Sequence, residues 1–226
     1  MEAPPLKIAL LGAESTGKTQ LSAELAGWLR GQGRSVAVVP EVLREWCMRE
    51  GRTPRPEEQM PIAQEQERRV DEAALGAEIV ISDTTSLMVA IYSAMLFEDG
   101  TLYQFALARQ REYHVTLLTG LDLPWVADGL QRDGPHVREP VDALVRAALA
   151  RADVGFRTVY GRGEERLANA LAAVAPWVLG RASPGEAVSQ APTGAAPRGW
   201  VWTCDKCSDP ECEHRLFTSL AERPQR

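Results

Sequence analysis

The chain has 226 residues, enough for one α/β domain and a small appendage. Hydrophobic residues make up 45% and charged residues 25%, the proportions of a folded globular protein and not of a disordered one. The formal net charge of −6 argues against a general nucleic-acid binder, and no apolar run approaches the length of a membrane span.

Met1 to Leu11 carries one Lys and no cleavage-site pattern. It reads as a first strand over Leu6 to Leu11 and not as a signal peptide, so a cytoplasmic location is expected. A helix from about Lys18 to Arg30 follows, with Leu21, Leu25, Trp28 and Leu29 near helical spacing and Gly31 and Gly33 at its end. Ser35 to Val39 reads as a second strand and Glu41 to Glu50 as a short helix. Glu57 to Gly76 reads as a long polar helix interrupted near Pro61. Glu78 to Ser82 is a third strand ending at Asp83. Helices are expected over Leu87 to Leu96 and Leu102 to Glu112, and a fourth strand over His114 to Thr119. Asp122 to Pro140 reads as a loop. Val141 to Ala152 is a helix, Phe156 to Tyr160 a fifth strand, and Glu164 to Leu179 a closing helix. Strands alternating with helices imply parallel βαβ units, with helices on both faces of the sheet and ligands at the carboxyl ends of its strands.

Gly12-Ala13-Glu14-Ser15-Thr16-Gly17-Lys18-Thr19 lies between the first strand and the first helix. Two glycines bracket four residues, and Lys-Thr follows. Such a loop folds tightly enough to point its backbone N–H groups inward at a polyphosphate, and the helix N-terminus adds positive potential. Lys18 would reach the β- and γ-phosphates of ATP, and the Thr19 hydroxyl would ligate Mg2+. Lysine occurs only at positions 7, 18 and 206, so Lys18 is less easily a chance placement.

Phosphoryl transfer also needs a carboxylate near the metal and cations near the moving charge. Asp83 ends a buried strand where it would organise magnesium; a turn or N-cap role is the alternative. Glu41 follows the second strand at the same edge and would serve as general base or as a solvated first-turn residue. Arg44 and Glu45 share its short helix and would line an acceptor pocket. Arg132 and Arg138 stand in the glycine- and charge-rich stretch after the fourth strand and would close over the phosphates as a lid. Trp125 reads as packing or as a base-stacking platform, and Trp28, Trp46 and Trp177 as packing.

Several segments together resemble the ribosylnicotinamide kinase domain of the NadR family and its stand-alone relatives. They are the glycine loop, Pro40-Glu41-Val42-Leu43-Arg44-Glu45, Ser82-Asp83-Thr84, Val89-Ala90-Ile91-Tyr92-Ser93 and Pro124-Trp125-Val126-Ala127-Asp128-Gly129-Leu130. The resemblance implies a P-loop NTPase/kinase-like fold, ATP and magnesium, and transfer of the γ-phosphate to the 5′-hydroxyl of nicotinamide riboside or a similar nucleoside. It places Glu41, Arg44, Glu45, Tyr92 and Trp125 at the acceptor. Thr85 stands where the family pattern has a second Asp, and Gln131 where it has Arg. No segment reads as the adenylyltransferase or DNA-binding domain of the multifunctional relatives. A non-kinase ATPase or a nucleotide-dependent regulator is the alternative reading.

Residues 1–180 are thus expected to form the kinase-like domain and 181–198, rich in Ala, Pro, Gly and Ser, a flexible linker. Residues 199–226 hold Cys204, Cys207, Cys212 and His214, a Cys3His set suited to structural zinc, although the Cys212-x-His214 spacing is tight. A redox pair or three unligated thiols are the rivals. The tail would dock on the kinase domain or on a protein partner. Cys47, alone in a helix, is expected to be buried.

Overall fold

The structure is a computed structural model that describes residues 4–96, 100–126 and 134–179, all within the first of the chain's two units, Met1–Gln190. Five strands, β1 (Leu6–Leu11), β2 (Val36–Val39), β3 (Ile79–Asp83), β4 (Val115–Thr119) and β5 (Arg157–Val159), form one parallel sheet in the order β2-β3-β1-β4-β5. The central strands are apolar runs because parallel strands are covered on both faces. Alternation divides them. Ile8, Leu10, Ile79, Ile81, Val115 and Leu117 face α1 (Lys18–Gly31) and α7 (Gly163–Val178), which contribute Leu21, Leu25, Leu29, Ala170 and Val174 to the same cluster. The opposite face carries α2 (Val42–Glu50), α3 (Pro56–Ala74), α4 (Ser86–Leu96), α5 (Gly100–Gln110) and α6 (Arg138–Arg151). Their core includes Leu87, Ile91, Leu102, Val141 and Leu149 against Leu11 and Leu118, and Val70 packs with Ala9, Val39 and Val80. Buried Cys47 belongs to this side, as expected.

The elements match the sequence reading within one or two residues, with two exceptions. α3 runs unbroken through Pro61. Pro61 is only the sixth residue of that helix, so the missing N–H costs one bond, to the Glu57 carbonyl. The N-terminus is held instead by Glu58, which accepts the Arg55 N–H at 2.7 Å and a two-pronged bond from Arg52 at 2.7 Å per prong. The Arg52 guanidinium and the Arg55 N–H hold the Glu58 carboxyl at about 2. The second exception is the expected loop 122–140. Pro135–Val137 forms a 3-10 turn and α6 already begins at Arg138. Val137, Val141 and Val145 lie on one buried stripe, which extends the helix back past Pro140, tolerated in its first turn. Trp28, expected to pack, is 43% exposed, whereas Trp46 and Trp177 pack on the two cores. Among the described residues no helix is long and apolar enough to cross a membrane.

This topology sets the place of the site. The chain leaves β1 toward β2 and leaves β4 toward β5, so the two neighbouring strands send it in opposite directions. The crevice at their carboxyl ends is where an open α/β sheet binds ligands.

Candidate functional site

The loop after β1 is shaped by backbone positions that only small or strained residues adopt. Gly12 has φ +146°, and a Cβ there would lie 2.1 Å from the Thr119 Oγ1 atom. Gly17, at φ +74°, precedes the first residue of α1. Thr16 ties the loop to β4, its Oγ1 lying 2.8 Å from the Ala13 carbonyl and 2.6 Å from the Thr119 Oγ1. The Ser15 Oγ donates to the Val126 carbonyl at 3.1 Å and accepts the Val126 N–H at 2.8 Å, which fastens the segment after β4 to the loop. Lys18 is buried, and its Nζ donates to the Gly12 and Ala13 carbonyls at 2.9 and 2.8 Å. The ammonium therefore lies across the loop mouth, as a cradle for phosphate requires.

Residues 79, 81 and 83 alternate onto the α1 side of the sheet, so the end of β3 aims Asp83 at the first turn of α1. There Thr19 donates its hydroxyl to Asp83 Oδ2 at 2.5 Å. Asp83 is 2% exposed, and its Oδ1 is buried with no hydrogen-bond partner. A buried acceptor left open beside a hydroxyl is an all-oxygen donor set that fits Mg2+, which keeps waters and takes one or two protein oxygens. Thr84, the next residue, has φ +83°, a strained conformation for a β-branched side chain. Its N–H still bonds the Leu10 carbonyl at 3.1 Å, so the strain sits where β3 turns away from the site.

The same hydroxyl of Thr19 accepts a bond from Arg44 Nη1 at 3.1 Å, and Arg44 pairs with Glu41 at 2.9 Å. Glu41, Arg44, Thr19 and Asp83 therefore form one continuous polar chain at the strand ends. Glu45 points elsewhere. It pairs with Arg69 at 2.5 Å and lines a groove of about 390 Å³ between α2 and α3, beside Trp46. Tyr92 packs against the apolar cluster on the α4 side. Trp125 lies next to Val126 in the segment that the loop holds, and its indole N–H has no hydrogen-bond partner. The five expected acceptor residues thus divide between the polar chain, the groove, the core and the loop.

Thr85, at the position where an Asp stands in the resembling family, is fully buried. Its hydroxyl donates to Gln110 at 2.7 Å and accepts the Leu87 N–H at 3.2 Å, so it starts α4 and turns away from Thr19. Arg138, expected in a loop that closes over the phosphates, stands instead on a helix. It opens α6 and is 7% exposed, and it gives only Nη1 to the Leu123 carbonyl at 2.9 Å. Its Nε and Nη2 are buried without partners, and burial pulls its pKa below the ordinary value, with Asp122 opposing. Arg132 and the Asp128-Gly129-Leu130-Gln131 segment lie outside the described residues, as do Cys204, Cys207, Cys212 and His214.

Two residues escaped the sequence reading. Arg166 of α7 donates to the Thr16 carbonyl at 2.6 Å, and Asp122 after β4 receives Arg166 at 3.2 Å. A signal was present: Arg166 stands four residues before Ala170 and eight before Val174, a charge on the stripe that α7 buries.

The sequence matches the model of the AAA domain family over residues 7–166, from β1 into α7. The chain belongs to that family. A comparison with curated proteins finds no match. Among solved structures, the NadR protein in complex with NAD and AMP-PNP is similar at 15% identity and a TM-score of 0.58, over 76% of this chain and 49% of that one. The NadR protein in complex with NR is similar at 18% identity and a TM-score of 0.59, over 76% of this chain and 51% of that one. Thymidylate kinase from Ehrlichia chaffeensis is similar at 13% identity and a TM-score of 0.55, over 77% of this chain and 100% of that one. This AAA-domain chain therefore has a P-loop kinase-like α/β fold, and it spans about half the length of the NadR chains it resembles.

Proposed function

We propose that this protein is an ATP- and magnesium-dependent kinase that phosphorylates a nucleoside-like acceptor, nicotinamide riboside first. The observation that carries the reading is the junction of Thr19, Asp83 and Arg44 at the mouth of the loop that Lys18 spans. It gathers a hydroxyl, an open carboxylate oxygen and a cation where the β- and γ-phosphates would lie. The fold shared with NadR, seen with NR in one structure and with NAD and AMP-PNP in another, and with thymidylate kinase supports the substrate class.

In this reading the loop amides and Lys18 hold the phosphates. Thr19 and Asp83 hold magnesium, which when bound neutralises the phosphate oxygens. The acceptor hydroxyl oxygen bonds to the γ-phosphorus as the bond to the ADP oxygen breaks. The hydroxyl proton passes to Glu41, which stands on the same polar chain and is not assigned to the metal. Arg138, buried with Nε and Nη2 unpartnered, takes the charge of the moving phosphoryl group, and Arg132 is assigned the same task from its sequence position. The experiment is an acceptor screen with ATP and magnesium. A phosphorylated nucleoside is expected, with nicotinamide riboside among the best acceptors; ADP and free phosphate alone from every nucleoside tried would mark an ATPase instead.

We also assign the tail Cys204, Cys207, Cys212 and His214 to one zinc ion. Metal analysis is expected to find about one zinc per chain, lost on replacing Cys204 and Cys207 together with serine. Equal zinc in that variant would end the assignment.

A further inference from the structure

Arg166 is a buried charge to which the catalytic reading gives no task. It is 4% exposed, a costly place for a guanidinium unless its hydrogen bonds have a purpose. Nη2 donates to the Thr16 carbonyl at 2.6 Å. Nη1 donates to the Gly161 carbonyl at 3.0 Å and to Asp122 Oδ1 at 3.2 Å. Asp122 in turn accepts the Gly161 N–H at 2.7 Å. Partial burial pushes the Asp122 carboxyl up, but the Gly161 N–H and Arg166 outweigh it and hold the pKa below its ordinary value. One side chain thus joins the glycine loop after β1, the segment after β4 and the turn after β5.

The contact with Thr16 has a consequence on the other side of the peptide. A trans peptide is planar, so its C=O and N–H point in opposite directions. Fixing the Thr16 carbonyl toward α7 fixes the Gly17 N–H in the opposite direction, away from α7. The bond is charge-assisted, and drawing electron density toward the carbonyl oxygen makes the paired N–H a better donor. Gly17, at φ +74°, has no side chain to hold this orientation itself. The Thr16 side chain is already committed to Ala13 and Thr119, so Arg166 controls the remaining freedom of that peptide.

We propose that Arg166 is a positioning residue for phosphate recognition, aiming the Gly17 N–H into the phosphate cradle by holding the Thr16 carbonyl from behind. The inference rests on the nucleotide-binding reading above and adds to it a residue outside the motif. Its ligand chemistry is a nucleoside diphosphate or triphosphate, whose β-phosphate the loop amides grip.

The test is calorimetric titration of the full chain with MgADP and with AMP. Arg166→Gln is expected to raise the Kd for MgADP about tenfold while leaving that for AMP within about twofold, because only the former carries the β-phosphate. Arg166→Lys keeps the charge but puts it on a single nitrogen, which cannot span the acceptors that Nη1 and Nη2 reach separately, and is expected to fall between; it decides the matter if the Gln variant does not fold. Wild-type affinity for MgADP in the variant that folds would overturn the proposal. So would equal weakening of both ligands, which marks a role in folding alone. Failure of the wild-type chain to bind MgADP would overturn the nucleotide reading itself, and this inference with it.

Discussion

Lys18→Ala is expected to reduce phosphoryl transfer by about a thousandfold, at the upper end of what removal of one preorganised charge donor costs. The fold should survive. Lys18 is the first residue of α1, and that helix has no acidic residue in its first turn. A cation there opposes the helix dipole, so local helix energetics do not explain its presence. What it does in the structure is bond to the Gly12 and Ala13 carbonyls across the cradle. Removing it frees those carbonyls and takes away the charge that would meet the β- and γ-phosphates, but it opens no gap in the apolar core. Thermal unfolding should therefore change little while turnover collapses. Lys18→Arg is expected to fail as well, because the guanidinium is a broad planar fork and the cradle accommodates a compact ammonium. The measurement is a coupled ADP-release assay with the best acceptor, beside thermal unfolding of each variant. Turnover by Lys18→Ala within tenfold of wild type would remove Lys18 from the mechanism.

The strands and the glycine loop were legible in the sequence because each is a local pattern. Ile79-Val80-Ile81 reads as a buried strand wherever it stands, and Gly12 and Gly17 mark the backbone angles that the loop adopts. The pairing of Thr19 with Asp83 was half legible. Period-two alternation from Ile79 puts Asp83 on the α1 side, but only the sheet order sets β3 beside β1. Arg44 was expected to line an acceptor pocket and is found bonded to Thr19, since helical spacing brings it over Glu41 and toward Thr19. Glu45, its neighbour in sequence, is turned to α3 by the same helical geometry. The strain at Thr84 left no mark in the sequence, because Thr is an ordinary strand residue and the turn is imposed from outside. Arg166 was missed for a different reason. Its partners, Thr16 and Asp122, lie 150 and 44 positions away, and no local pattern links them.

Arg138→Met is expected to leave the free protein at least as stable as the wild type while lowering phosphoryl transfer by about a thousandfold. Two terms set the stability. The substitution loses one charge-assisted bond, to the Leu123 carbonyl, worth about 1.5–3 kcal/mol. It also relieves a buried guanidinium whose Nε and Nη2 have no partner, a penalty on the order of several kcal/mol. Methionine follows much of the same path through the packing, so little volume is lost. Relief is therefore expected to match or exceed the loss. Arg138 also opens α6, where the helix dipole disfavours a cation, as Lys18 opens α1. The Arg138 charge is set where the free fold penalises it, and an anion beside it would convert that penalty into attraction. The stabilisation that MgATP gives the wild-type chain should accordingly shrink in the variant, read as a smaller rise in thermal midpoint at the same nucleotide concentration. A variant that unfolds readily, or one that turns over normally, would show instead that the guanidinium serves the Leu123 carbonyl and nothing more.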